Sequence, residues 1–120
     1  MQVIQFDRSK GEPVQDFGSC NARASALGHG SGEAHAHIVF LGPGGIIGPH
    51  PAGFAQLFVV LRGNAWVSGA DGRRLPVGPG QAAHIGRGET HAKGSDEGST
   101  ALMVQVRDFE LAPGTQWAPA

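Results

Sequence analysis

The sequence predicts an all-β domain of the sandwich or jelly-roll kind, and three observations carry that prediction. Twenty glycines and eight prolines are spread between short apolar runs instead of being gathered in one tract, which is how turns punctuate strands. No stretch carries the 3.6-residue apolar spacing of an amphipathic helix. Asp71-Gly72 lies between Ala65-Trp66-Val67 and Leu75-Pro76-Val77, and Asp-Gly supplies the positive φ angles that a tight hairpin turn needs. There is no internal repeat to suggest a solenoid or a propeller.

Strands are expected over Gln2 to Phe6, Asn21 to Leu27, Ala34 to Leu41, Ala55 to Arg62, Asn64 to Ser68, Arg73 to Val77, Gln81 to Ile85 and Thr100 to Val106, each bounded by Gly, Pro, Asp or Ser. Leu57-Phe58-Val59-Val60-Leu61 is apolar at every position, the pattern of a strand covered on both faces and so the centre of the core. Gly28-His29-Gly30-Ser31-Gly32 reads as a flexible loop, and residues 111–120 as an irregular tail. A chain of 120 residues and 12.4 kDa fits one domain, with its core over residues 20–108. A domain of this size buries roughly two-thirds of its unfolded surface, so any metal it holds serves function and not folding.

Charge and cysteine content narrow the function classes. Nine basic residues against ten acidic ones give a net charge of -1, which offers no electrostatic footprint for nucleic acid or an anionic membrane. Cys20 is the single cysteine, so no intramolecular disulfide forms, and it reads as a small buried apolar residue. The first residues lack a basic region followed by an apolar stretch, and no run approaches the 18 or so apolar residues of a membrane helix. The expectation is a soluble, cytoplasmic protein.

Two motifs carry a family resemblance. The first runs Gly45-Ile46-Ile47-Gly48-Pro49-His50-Pro51-Ala52-Gly53-Phe54-Ala55-Gln56, continues through Leu57 to Arg62 and closes at Gly63. It resembles cupin motif 1, in which a Gly precedes a His-x-His pair, an acidic residue follows, and a Gly closes the strand. The second, Gly78-Pro79-Gly80-Gln81-Ala82-Ala83-His84-Ile85-Gly86-Arg87-Gly88-Glu89-Thr90-His91, is similar to cupin motif 2, where a Pro-Gly turn starts a strand and a His ends the next loop. The resemblance is to small single-domain cupins of bacterial type, and it implies a cupin-type jelly-roll β-barrel, the double-stranded β-helix. It also implies a homodimer, with the N-terminal strand at residues 2–6 in the interface.

In the family these motif positions hold a divalent metal with three imidazoles and a carboxylate. Here His50 matches the first ligand and His91 the last, Ala52 stands where the second His belongs, and Gln56 replaces the acid. The resemblance therefore implies a degenerate site for Fe, Mn, Ni or Zn on His50, Gln56 and His91. Ala52 has no donor atom and the Gln56 amide is neutral, so affinity for a divalent ion is lower. An empty pocket is the alternative.

Other histidines offer further ligands. His35 and His37, two apart on one strand, share a face with Val39 and Leu41; that face is either the interior, where both would complete the site, or the outside. His84 faces either the pocket or a covering sheet, and His29 reads as exposed. Phe54, Phe58 and Trp66 are expected to line the pocket, and Phe40 to be core. Glu89 and Lys93, flanking His91, read either as an acid, a base or an anion contact at the rim or, as is usual for charged loop residues, as simply solvated. Three functions remain open: a mononuclear metal enzyme of oxygenase or isomerase type, a metal-free module that binds or senses a small-molecule ligand, and a structural or assembly role.

Overall fold

The computed structural model describes residues 1–112 of the chain. Eleven strands are formed among them: β1 (Gln2–Gln5), β2 (Glu12–Pro13), β3 (Arg23–Ala24), β4 (Gly28–Leu41), β5 (Gly45–Pro51), β6 (Ala55–Gly63), β7 (Ala65–Ser68), β8 (Arg74–Val77), β9 (Gln81–Ile85), β10 (Thr90–Ser95) and β11 (Ser99–Leu111). A single 3-10 turn at Arg8–Lys10 interrupts them, started by Asp7, whose carboxylate accepts from the Ser9 amide. The strands pair antiparallel into a five-stranded sheet of order β1-β9-β6-β11-β4, a four-stranded sheet of order β5-β10-β7-β8, and the small β2-β3 ribbon. This is the all-β architecture of two facing antiparallel sheets that the jelly-roll expectation describes.

The core lies between the two larger sheets because their inward residues alternate with outward ones. Phe58 and Val60 of β6, Ala83 of β9, Ala101 of β11 and Leu41 of β4 pack there against Ala65, Val67 and Val77 of the smaller sheet. A second cluster of Ile4, Leu57 and Ala82, with Phe109 and Leu111 against it, covers the other face of the same β6 segment. The run of apolar residues at 57–60 is thus two-sided, as its composition predicts. Leu61 departs from that reading and is 53% exposed near the strand's end. Gly63, which ends β6 at φ 73, is required there, since a Cβ would come within 2.3 Å of the Gly98 carbonyl oxygen.

The expected hairpin is present: β7 and β8 pair from Ala65↔Val77 to Ser68↔Arg74, and Gly72 takes φ 75 in the connecting turn. Asp71 Oδ1 accepts from the Arg73 amide at 2.9 Å and fixes that turn.

Several local expectations are corrected. The Gly-rich segment Gly28 to Gly32 is not a loop but the start of β4, laddered to residues 108–111 of β11. Its glycines allow close approach, since a Cβ on Gly28 would meet the Phe109 ring at 2.5 Å. Of the segment Asn21 to Leu27 only Arg23–Ala24 is strand. Two polar or Pro-containing stretches, β5 and β10, are strands because the ladder between them satisfies their backbones. Cys20 is exposed, and Phe40, expected in the core, is 77% exposed on the edge strand β4. The expected tail begins with Leu111 inside β11, and from residue 113 onward it lies outside the described residues.

β1 pairs with β9 of its own chain at one edge of the large sheet, and its other edge has no strand partner among the described residues. Among those residues, no helix is long and apolar enough to cross a membrane.

Candidate functional site

β10 lies in the middle of the small sheet, between β5 and β7. Strand alternation turns His91 and Lys93 to its inner side. His91 stands opposite His50 of β5, and Lys93 stands between Ile47 of β5 and Val67 of β7. From the facing sheet, β6 contributes Gln56 and Phe58, both buried.

These residues meet around one cation. Lys93 is 2% exposed, and its Nζ donates to Gln56 Oε1 at 2.9 Å. The same nitrogen is 2.9 Å from His91 Nε2 and 5.5 Å from the centre of the Phe58 ring, whose face attracts it. His91 Nδ1 lies 3.4 Å from the Glu89 carbonyl oxygen. A carbonyl only accepts, so the hydrogen is assigned to Nδ1, which turns the Nε2 lone pair toward the ammonium. His50 is held likewise, its Nδ1 donating to the Gly48 carbonyl at 2.8 Å. The two imidazoles are 4.6 Å apart, centre to centre, and tilted by 54°.

The electrostatics follow from burial. Desolvation and then the Lys93 charge lower the His91 pKa to about 4, so its ring is neutral and accepts. Burial alone lowers Lys93 to about 8, with no compensating carboxylate. At neutral pH the ammonium form still predominates. No ion pair joins Lys93 to an acidic side chain among the described residues.

A divalent ion does not fit this donor set. It would need the Nε2 lone pair of His91, which is directed at Lys93, and Gln56 Oε1, one of whose two lone pairs already accepts from Lys93. It would also stand next to a buried positive charge with no anionic ligand to offset either. Among the described residues no three His, Cys, Asp or Glu side chains are grouped to hold a metal ion.

His35 and His37 do share the inner face with Val39 and Leu41. Their rows run His35–Gln105–Gln56 and His37–Met103–Phe58 across β4, β11 and β6. Two strand spacings, about 10 Å, separate their backbones from that of β6. Both are exposed, because β4 is an edge strand. His35 stacks on Phe54 with ring centres 5.8 Å apart and planes within 8°, and its Nε2 is 2.5 Å from Glu33 Oε2. Phe54 therefore belongs to the rim beside His35, and Phe58 to the floor under Lys93.

Of His84, which the sequence left open between pocket and covering sheet, and Trp66, expected to line the pocket, neither faces the interior. His84, paired with Leu57 and Gln2, faces the outer side of the large sheet against Phe109. Its Nε2 is buried without a partner, and desolvation lowers its pKa. Trp66 alternates with the inward Val67, so it lies on the outer face of the small sheet. Its ring is covered by the Arg74 guanidinium at 3.9 Å. Glu89 accepts from the Met1 ammonium at 2.6 Å; burial opposes its ionisation, but that hydrogen bond and charge outweigh it and lower its pKa.

The residue that sequence reasoning missed is Lys93, which is buried and not solvated. Its signal was present: it stands two positions after His91, so if His91 points inward on a strand, Lys93 does too.

Comparison with known proteins gives the family. A search of curated proteins finds no match. Among solved structures, a conserved protein of unknown function from Streptococcus pyogenes is 25% identical, with TM-score 0.59 over 64% of this chain and 67% of its own. A cupin superfamily protein from Desulfitobacterium hafniense aligns over 90% of this chain and 100% of its own at 13% identity and TM-score 0.58. KdgF from a Halomonas species aligns at 20% identity and TM-score 0.57 over 66% and 74% of the two chains. The family model described as Cupin matches residues 18–118. With the two motifs, the two facing sheets and that match in agreement, the chain belongs to the cupin family.

Proposed function

We propose that this cupin binds a small molecule without a resident metal, and that the Lys93 ammonium occupies the place where the family's motif residues converge on an ion. One observation carries the reading: Lys93 Nζ lies 2.9 Å from both Gln56 Oε1 and His91 Nε2, the two motif side chains that would otherwise be donors to a metal. The substitution is chemically coherent. Loss of the acid at Gln56 and of an imidazole at Ala52 removes the donors a divalent ion needs, and a singly charged ammonium is satisfied by neutral acceptors. The ligand approaches from the side of the exposed His50 and His35 and the half-buried Phe54.

The test is elemental mass spectrometry on protein without a His-tag, before and after incubation with Fe, Mn, Ni and Zn. The expected result is metal far below one ion per chain throughout. Near-stoichiometric metal that disappears in His50→Ala overturns the reading in favour of a mononuclear metal enzyme.

A further inference from the structure

The buried ammonium leaves an unbalanced charge. Lys93 has three N–H donors; Gln56 and His91 accept two, and both acceptors are neutral. The Phe58 face adds a quadrupole attraction but no anion. A buried charge without a counter-charge is costly, and natural structures offset it with an opposite charge or a ligand.

The placement of charge elsewhere sharpens this. The chain has only two lysines, Lys10 and Lys93. Lys10 lies in the exposed 3-10 turn, while Lys93 is the one Lys or Arg side chain in the core among the described residues. The inner face around it could have been apolar, as its row neighbours Ile47 and Val67 are. The nearest acids in sequence, Asp96 and Glu89, face other cations: Asp96 lies 3.9 Å from Arg74 and Glu89 is engaged by the Met1 ammonium.

We propose that the small molecule this pocket takes carries a carboxylate, and that Lys93 is the residue that receives it through its third N–H. This rests on the metal-free reading given above and adds to it the chemical class of the ligand. The carboxylate supplies the missing negative charge and a charge-assisted hydrogen bond. Gln56 and His91 act as positioning residues: they fix the ammonium from the side away from the ligand and do not touch the ligand themselves.

The experiment uses the full chain labelled with ¹³C-lysine, treated with EDTA and then titrated with acetate, propionate, pyruvate and benzoate at constant ionic strength. The two lysine ε-methylene signals are followed by NMR, and acetamide serves as the neutral control. The expected result is a saturable shift of the Lys93 signal with at least one carboxylate, no shift of Lys10, and none with acetamide. Lys93→Arg is expected to keep carboxylate binding, read by thermal shift. Lys93→Met is expected to weaken it about tenfold to a hundredfold, the usual worth of a charged hydrogen bond.

If the Lys93 signal does not move, or moves in parallel with Lys10, the carboxylate assignment is overturned while the metal-free reading stands. If carboxylates bind only before EDTA treatment and binding returns with added metal, both are overturned.

Discussion

β10 and β4 each carry a pair of basic or imidazole side chains two residues apart on an inward face, His91 with Lys93 and His35 with His37, yet the two pairs have opposite fates. On β10 both members are buried, at 0% and 2% exposure. On β4 both are exposed. The difference lies in sheet position. β10 is flanked by strands on both sides and faced by β6, whereas β4 is the outer strand of the five-stranded sheet. The same pattern of residues thus gives a desolvated cluster with shifted pKa values in one place and a solvated rim in the other.

The largest expected effect that tests this contrast is loss of the buried imidazole. His91→Ala removes an acceptor from a buried charge and leaves a cavity. It is expected to lower unfolding stability by about 3 kcal/mol in a urea titration. A loss below about 0.5 kcal/mol, the range of ordinary surface changes, would mean that the cluster is solvated after all.

pH probes the same cluster without mutation. His91 titrates near 4 in the fold against 6.5 when free. The unfolded chain therefore binds more protons between those values, and stability falls as pH drops from 6.5 to 4, by at most about 3 kcal/mol. Lys93 titrates near 8 against 10.5. Again the unfolded state holds more protons, so this group makes stability rise with pH between 8 and 10.5, by a similar upper amount. Flat profiles in both windows would remove the argument for a desolvated pair.

A smaller change is expected from Lys93→Met, which keeps much of the volume and deletes the charge. Stability should stay level or rise by up to about 2 kcal/mol, since well-packed apolar replacements of buried charges are often neutral or favourable. The acid-side loss should shrink as well, because the Lys93 charge is one cause of the low His91 pKa. A loss of several kcal/mol would instead give Lys93 a structural role that ligand binding need not explain. The smallest effects belong to the rim: His35→Ala and His37→Ala should each stay within about 0.5 kcal/mol by the same urea measurement.

Much of the molecule was legible in the linear chain because its signals are local. Turn chemistry at Asp71-Gly72, the two-sided apolar run at 57–60 and the Gly and His spacing of the two motifs each depend on residues close together in sequence. Those signals led to the all-β class, the hairpin and the family. The site was legible only in part. His50, Gln56 and His91 were picked out by the resemblance to the two cupin motifs, which with Ala52 and Gln56 in place of two family ligands implied a degenerate metal site. β10 was missed because Thr90 to Ser95 is polar, and a polar strand can be recognised only through the partners that cover it.

By itself the sequence determined the all-β class and the core strand, since these follow from periodicity and turn geometry, and its resemblance to the cupin motifs singled out the motif side chains. Tertiary structure decided which histidines face inward, that Trp66 and His84 lie on outer faces, and that Lys93 reaches the point where Gln56 and His91 meet. Lys93 and Gln56 are 37 positions apart in the chain and 2.9 Å apart in space. Such a meeting depends on how two sheets face each other, and so does the desolvation that lowers the pKa of the buried pair.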